Sequence, residues 1–219
     1  GDPTAAVSAL QEALDVSPDA PELMIGLADA HLAGRALGEA GQAYEAALAL
    51  DSESYRAHAG LARISLARGD TAEAVRHQRI AAGLAPGNAG IHLNLGSMYA
   101  AQGRLKEALD EYAKALEIAP SDPAVYLNLA VIYYRSKQYV EALTNCQRAL
   151  DLDPDALRAH QIVGRVAFDS GEHEEAARAY LSALRLDPDD ADTHRGLAST
   201  REALGEGEAA IRHWQRWLE

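Results

Sequence analysis

The sequence predicts an all-α protein built from repeated pairs of antiparallel helices, and three observations lead to this prediction. Ala, Leu, Glu and Arg dominate the 219 residues and only 5% are aromatic, a composition that favours helices over a large sheet. Prolines recur in steps of 34 residues, at Pro86, Pro120, Pro154 and Pro188. Alanines recur with the same step. A constant step of this length indicates a stack of one helix–turn–helix unit.

The alanine series extends over the whole chain. One series runs through Ala6, Ala40, Ala74, Ala108, Ala142, Ala176 and Ala210. A second runs through Ala13, Ala47, Ala81, Ala115, Ala149 and Ala183, and then breaks at Trp217. Small residues at fixed positions let neighbouring helices approach closely, so both series predict tight helix–helix contacts in every repeat.

Turn and cap residues mark where the helices of each unit end and begin. Glycines recur at the turn inside the unit, where a left-handed residue closes the first helix: Gly69, Gly103, Gly171 and Gly205. Asp122 before Pro123 has the pattern of an N-cap followed by proline at the first helical position. Ser54, Asn88 and Asp190 occupy the same cap position in other repeats.

These residues resemble the signature of the tetratricopeptide repeat family. In one unit the matching residues are His92, Leu95, Gly96, Tyr99, Ala108, Tyr112, Ala115 and Pro120, with His92 standing where the family most often has Trp. The resemblance implies a right-handed superhelical solenoid of about six repeats, with a concave groove lined by the first helix of each repeat.

The step of 34 residues predicts a single solenoid over residues 1–219. A partial repeat, 1–20, contributes one second helix at 4–16. Five whole repeats follow at 21–54, 55–88, 89–122, 123–156 and 157–190, and a terminal repeat covers 191–219. This layout predicts 13 helices. The single orphan helix also suggests that the chain is a fragment of a longer protein.

Charge and composition restrict the partners. The formal charge is −13, which disfavours nucleic acid and an anionic membrane surface, and no apolar run is long enough for membrane insertion. The single cysteine, Cys146, excludes an internal disulfide. We therefore expect a protein or peptide partner and no cofactor. The compartment stays open between the cytoplasm, which is favoured, and the periplasm.

Family geometry places several arginines in the groove. From residue 56 to residue 169 the inward positions carry five basic residues and one acidic residue, and the basic ones include Arg63, Arg135, Arg158 and Arg165. Such a local field favours an acidic segment or a C-terminal carboxylate. The alternative is that these arginines only populate solvated helix faces.

The groove is also predicted to carry amides and apolar side chains. Asn94 and Asn128 occupy the same inward position in adjacent repeats, and similar asparagines hold peptide backbones in O-linked N-acetylglucosamine transferases and carboxylate-clamp members of the family. The apolar inward residues are Leu93, Leu127, Val131, Tyr134 and Phe168. The centre of the groove, in repeats 89–190, is therefore the predicted peptide site. Inherited consensus is the alternative explanation for the asparagines.

Other reactive residues are explained by packing. His58, His92, His160 and His194 share one repeat position, the aromatic position of the family, which predicts packing rather than metal binding. Cys146 replaces a core tyrosine and is expected to be inert. Because no catalytic set of side chains and no phosphate-binding loop occurs, we predict that the chain is not an enzyme.

Trp217 occupies a position that is alanine in the other repeats, so the regular array is expected to end there. Trp214 and Trp217 then form a self-contained cap, a dock for another domain, or a homodimer contact. The leading function is a non-catalytic interaction scaffold. The alternatives are a substrate-recruiting arm of a larger enzyme, such as a glycosyltransferase, and an oligomerisation module.

Overall fold

The computed structural model describes residues 2–218, and this part of the chain contains 13 α-helices and no strand. The first helices of the repeats are α2 (Pro21–Ala33), α4 (Tyr55–Ala67), α6 (Ala89–Ala101), α8 (Pro123–Arg135), α10 (Leu157–Asp169) and α12 (Ala191–Ala203). The second helices are α1 (Pro3–Val16), α3 (Leu37–Leu50), α5 (Thr71–Leu84), α7 (Leu105–Ile118), α9 (Tyr139–Leu152), α11 (His173–Leu186) and α13 (Gly207–Leu218). The all-α class and the repeated helix pairs are confirmed.

The chain divides into two compact units between Ile118 and Ala119. Unit 1, before this division, contains α1 to α7, and unit 2, after it, contains α8 to α13. Within each unit the two helices of a repeat pack on each other, and the second helix packs on the first helix of the next repeat.

The predicted caps and turns are present. Ser54, Asn88, Asp122 and Asp190 each accept a hydrogen bond from a backbone N–H in the first turn of the following helix. The four turn glycines have φ between 73° and 83°. Arg35 and Lys137 adopt the same left-handed conformation in two other repeats, at a cost of about 1 kcal/mol each.

Tyrosines of the second helices pack against glycines of the first helices. A Cβ atom on Gly60 would stand 2.2 Å from the ring of Tyr44, and one on Gly96 would stand 2.6 Å from Tyr112. In unit 2 the ring of Tyr180 lies between Gly164 and Gly196 in the same way. Glycine is required at these positions because any side chain would overlap the ring.

The shared histidine position is buried in three of its four occurrences, as expected for packing, but it also carries hydrogen bonds that the sequence did not predict. Nε2 of His92 donates to the carbonyl of Pro86, and Nε2 of His194 donates to that of Pro188. The Tyr126 hydroxyl donates to the Pro120 carbonyl in the same way, over 3.0 Å. Each bond ties the ring to the turn six residues earlier.

The other nitrogen of each ring meets a side chain 19 residues later. Nδ1 of His58 lies 2.9 Å from Nδ1 of His77, and the ring centroids are 5.2 Å apart, so the two nitrogens point straight at each other. His194 and His213 repeat this arrangement at 3.0 Å. The two Nδ1 atoms of each pair therefore share one proton in an N–H···N hydrogen bond. Because these atoms face each other at this distance, their lone pairs cannot both bind one metal ion.

His92 meets a carboxylate instead. Its Nδ1 lies 2.6 Å from Oε2 of Glu111, whose other oxygen accepts from Lys114 Nζ at 2.7 Å. Burial opposes ionisation of Glu111, but the bonds from Lys114 and His92 outweigh it and lower the pKa of this carboxyl. The Glu111 carboxylate therefore stands between His92 and Lys114, in the position that a second histidine holds elsewhere.

Other features bear on membrane, metal and thiol chemistry. Among residues 2–218, no helix is long and apolar enough to cross a membrane, and no group of three or more potential metal ligands occurs. The Cys146 side chain is fully buried, and burial raises the pKa of its thiol to about 12. The thiol is therefore protonated at neutral pH.

Candidate peptide-binding cavity

The first helices of unit 2 lie side by side. α10 contacts both α8 and α12. The side chains that these three helices direct away from their second helices form one surface, here called the first-helix surface of unit 2. The second helices α9, α11 and α13 pack behind them as partners of α8, α10 and α12. The repeat thus places the same helix positions next to one another from repeat to repeat.

A cavity of about 380 Å³ opens on this surface. Its walls come from α8, α10, α11, α12 and α13, and they consist of Tyr134, Arg165, Phe168, Asp169, Tyr180, Asp192, Arg195, Gly196, Ser199 and Trp214. Four of the ten are aromatic. A cavity of this size holds one or two amino-acid side chains.

The two carboxylates of the cavity already have hydrogen-bond or ion-pair partners. Oδ2 of Asp169 accepts hydrogen bonds from the hydroxyls of Tyr134, at 3.0 Å, and Tyr139, at 3.4 Å. Burial and, next, the Asp169 carboxylate raise the pKa of Tyr134, so its hydroxyl is a donor at neutral pH. Asp192 forms an ion pair with Arg195 at 2.8 Å.

Arg165 differs from these groups. It is half-buried, and within the described part of the chain its guanidinium forms neither a hydrogen bond nor an ion pair. It lines the same cavity as Phe168 and Tyr134. Its five N–H donors are thus available to a ligand in surroundings that are partly shielded from water.

The aromatic wall is fixed by neighbouring contacts. Tyr180 is buried against Gly164 and Gly196, and burial raises the pKa of its hydroxyl. Nε1 of Trp214 donates to Glu202 at 3.0 Å, and its ring meets the Trp217 ring edge-on at a centroid distance of 5.5 Å. The wall is therefore largely formed before any ligand binds.

The structure brings only part of the predicted set together. Tyr134, Arg165 and Phe168 line the cavity. Other predicted residues of unit 2 lie on α8 or α10 but outside the cavity wall: the half-buried Leu127, Asn128 and Val131, and the exposed Arg135 and Arg158. The remaining predicted residues belong to unit 1: the exposed Arg63 and Asn94 and the half-buried Leu93.

Several cavity residues were not predicted as site residues. Tyr180 and Trp214 occupy the repeat position of a core tyrosine, and the sequence predicts a terminal interface for Trp214. The inward positions of Asp169, Asp192 and Arg195 were recognisable from the repeat, but their hydrogen bonds were not. Gly196 and Ser199 stand at the repeat positions of Asn128 and Arg165, so the repeat could also have indicated them.

Unit 1 contains another group in which a tyrosine hydroxyl and an arginine contact an aspartate. Asp29 accepts a hydrogen bond from the Tyr44 hydroxyl through one oxygen and an ion pair from Arg56 at 3.1 Å through the other. Burial and then the bond to Asp29 raise the pKa of Tyr44. Because Arg56 is already paired, this group offers a weaker anion site than the one beside Arg165.

Unit 1 also has a cavity of about 400 Å³, between α5, α6 and α7. Its walls include His92, Glu111 and Lys114, which bind one another. Arg79 and Glu117 add one charge of each sign. Since the buried polar groups of this cavity already have partners, it carries less evidence for a ligand than the cavity of unit 2.

Helix pairs of this length, small residues at the contacts and a preformed surface on the first helices define a helical-repeat scaffold. One sequence profile of the tetratricopeptide repeat matches residues 1–55, 42–89 and 164–219. Another profile of the tetratricopeptide repeat matches residues 121–189, and a profile of the TPR repeat matches residues 96–137. The chain belongs to the tetratricopeptide repeat family, and it is a protein–protein interaction module.

Solved structures agree with this fold. A chain of the APC/C hetero-tetramer Cut9–Hcn1 has 19% identity and a TM-score of 0.85; the match covers 99% of this chain but 43% of that one. PilW, a type IV pilus biogenesis factor, has 21% identity and a TM-score of 0.82, with 90% and 91% covered. YrrB, a TPR protein with an unusual peptide-binding site, has 21% identity and a TM-score of 0.60, with 81% and 92% covered. A search of curated protein sequences gave no significant match.

Proposed function

We propose that the chain is a non-catalytic scaffold that binds a peptide or protein segment on the first-helix surface of unit 2, with a carboxylate of the ligand at Arg165. The observation that carries the proposal is the unpaired guanidinium of Arg165 in a cavity with four aromatic residues. An acidic side chain or a C-terminal carboxylate supplies the missing acceptor.

Specificity has two sources in this proposal. The guanidinium of Arg165 selects a negative group, and the rings of Phe168 and Trp214 select an apolar side chain beside it. Asn128 lies on α8 near the start of the same surface and is the candidate for holding the ligand backbone. The bound segment becomes ordered on binding, so the affinity is expected to be modest.

The test is peptide-library binding followed by fluorescence anisotropy on selected peptides. We expect Arg165→Glu to weaken binding of acidic or carboxylate-ended peptides by about 10- to 100-fold, the value of one charged hydrogen-bonding group. Asn128→Ala is expected to weaken binding by about threefold to tenfold through loss of a neutral hydrogen bond.

The matched control is Arg158→Glu. It makes the same charge change on α10, at an exposed residue outside the cavity, and should change affinity by less than about threefold. Amidation of the peptide C-terminus separates the two carboxylate sources. Equal affinity for all variants, or no binding by the wild type, would reject the cavity as the ligand site.

Two alternatives keep the same fold. The matching position of Asn94 and Asn128 favours a substrate-recruiting arm of a larger enzyme, such as a glycosyltransferase. A catalytic domain encoded in the same gene, and loss of its activity on a protein substrate when Asn128 is changed, would support that function. Self-association through α13 is the third candidate, and the exposed apolar side chains of that helix support it.

A further inference from the structure

A second cavity of unit 2, here called the outer cavity, has a volume of about 210 Å³ and lies between α9, α10 and α11. Val140 and Leu143 of α9 and Val163 and Ala167 of α10 form much of its apolar wall. Val163 and Ala167 stand two residues before and two residues after Arg165, which turns them to the opposite side of α10. The outer cavity is therefore separate from the peptide-binding cavity beside Arg165.

The outer cavity lies where α10 carries smaller residues than the two preceding first helices. Val163 stands at a repeat position where α6 and α8 have leucine. Ala167 stands where those helices have Tyr99 and Tyr133. One methylene and one whole phenol ring are thus missing from this wall, and no other side chain fills the space. The open space is a property of this repeat in particular, inside the array and away from either end of the chain.

α9 adds exposed apolar side chains at the mouth of the outer cavity. Val140 is 76% exposed and Leu143 is 39% exposed. In the other repeats the position of Val140 holds only small or polar residues: Thr4, Gly38, Ala72, Lys106, Glu174 and Glu208. Two exposed aliphatic side chains beside an open apolar cavity form a patch of the kind that marks an interaction surface.

The mouth also carries two carboxylates without a cation, Glu172 and Glu175. In unit 1 the same repeat positions hold Arg104 and Glu107, which form an ion pair at 2.9 Å. Among residues 2–218 the side chains of Glu172 and Glu175 form neither a hydrogen bond nor an ion pair, although Arg178 follows one turn later on α11. The charge at the first position is thus reversed, and a cation from outside would take the place that Arg104 has in unit 1.

We propose that the outer cavity binds a segment of a partner protein that combines one aliphatic side chain with a neighbouring Lys or Arg. The aliphatic side chain packs against Leu143 and Val163, and the cation lies between Glu172 and Glu175. A volume of about 210 Å³ accommodates one side chain of the size of Leu, Ile or Met. The site is additional to the one beside Arg165, and it selects the opposite charge, so α10 contributes to two sites of different specificity.

The first experiment is selection of a random library of peptides of about 12 residues on the wild-type chain. We expect one class of selected peptides to contain Leu, Ile or Met beside Lys or Arg, because the apolar wall and the two carboxylates act together. The absence of this class among the selected peptides would overturn the proposal. Peptides of this class are called basic–aliphatic peptides below.

Fluorescence anisotropy of one basic–aliphatic peptide then tests the charge. Glu172→Arg restores the residue type that Arg104 supplies in unit 1, and it should weaken binding about tenfold. The matched control is Glu174→Arg, the same charge change at an exposed residue of α11 that does not line the cavity. The control should change the affinity by less than about threefold. Equal losses in the two variants would show attraction to the acidic chain as a whole and overturn the site.

A second pair of variants tests the apolar wall. Leu143→Ala should weaken binding of the same peptide by about threefold to tenfold, because the aliphatic side chain of the peptide loses its neighbour. Leu181→Ala is the control, since Leu181 is 40% exposed on α11, as Leu143 is 39% exposed on α9, but lies outside the cavity. The control should leave the affinity within about twofold. An equal effect of both changes would exclude the cavity as the place of the aliphatic side chain.

Arg165→Glu separates the two sites of α10. It should leave the affinity for the basic–aliphatic peptide within about threefold, while it weakens acidic peptides. Loss of the basic–aliphatic peptide in Arg165→Glu would place this peptide in the other cavity and overturn the proposal. Retained binding when no acidic peptide binds would reject the site at Arg165 alone. Tyr139 stays unchanged in all variants, because it lines the outer cavity and also donates to Asp169.

Discussion

Asp29 in unit 1 and Asp169 in unit 2 both accept a hydrogen bond from a tyrosine hydroxyl, but the arginines beside them are used differently. In unit 1 the second oxygen of Asp29 pairs with Arg56. In unit 2 a second tyrosine, Tyr139, donates to Asp169, and Arg165 has no hydrogen-bond or ion-pair partner among residues 2–218. Different repeat positions therefore form a closed polar group in unit 1 and an open anion site in unit 2. A ligand site in this fold depends on which charges are already neutralised, and not only on which are present.

The strongest way to break the closed group of unit 1 is to displace Tyr44. Gly60→Ala places a methyl group 2.2 to 2.5 Å from three ring atoms of Tyr44, which must then move away from Asp29. We expect the free energy of unfolding to fall by about 3 kcal/mol, measured by urea denaturation followed by circular dichroism. Gly83→Ala is the control. Gly83 lies inside α5 with nothing within 4 Å, and its change should stabilise by about 0.5 kcal/mol. Equal stability of the two variants would contradict the close contact.

A milder pair of changes sharpens the comparison. In Tyr44→Phe the Oδ1 atom of Asp29 loses the hydroxyl that donates to it. The free energy of unfolding should fall by about 1.5 kcal/mol. Tyr134→Phe should cost about 0.5 kcal/mol, because Tyr139 still donates to Asp169. Urea titrations of the two variants measure the difference. The reverse order of effects would show that Asp169 depends on Tyr134 more than the geometry indicates.

The smallest expected effects are on the pH dependence of stability, and they arise in both units. Burial lowers the pKa of His58, His77 and His213 in the folded chain. Their contribution to stability is therefore complete above the unfolded pKa near 6.5, and it is lost as the pH falls through the lower folded pKa. We expect the urea midpoint to be lower at pH 5 than at pH 7.5.

A single substitution can test the source of this acid sensitivity. His77→Glu gives His58 the kind of partner that His92 has in Glu111, a carboxylate that favours the protonated ring. The fall in the urea midpoint between pH 7.5 and pH 5 should shrink in this variant. An unchanged fall would place the acid sensitivity outside the pair formed by His58 and His77.

Most of the fold could be predicted from the sequence because its local rules are strict. The turn at Gly69 requires a positive φ, and a cap such as Asp122 requires a short side chain that accepts from the backbone. Both requirements act within a few residues, and the step of 34 residues repeats them. Arg35 and Lys137 were harder to foresee, since nothing local marks them as left-handed.

The candidate site was predictable only in part, because its contacts join distant residues. Tyr134, Arg165 and Phe168 follow from the position of the first helix in each repeat. The bond between Tyr139 and Asp169 spans 30 residues, and the bond between Tyr134 and Asp169 spans 35. Trp214 stands at a position that is core in internal repeats, so the repeat pattern alone does not indicate that it lines the cavity.

Within the described part of the chain His160 forms no hydrogen bond to the turn before it, whereas His92, His194 and Tyr126 at the same repeat position each do. The turn at 153–156 is thus held only by its own backbone and by Asp153. Amide protons in this turn should exchange with solvent earlier than those of the neighbouring turns, and limited proteolysis should cut there first. A missing ring contact of this kind gives the array a preferred point of local opening between α9 and α10.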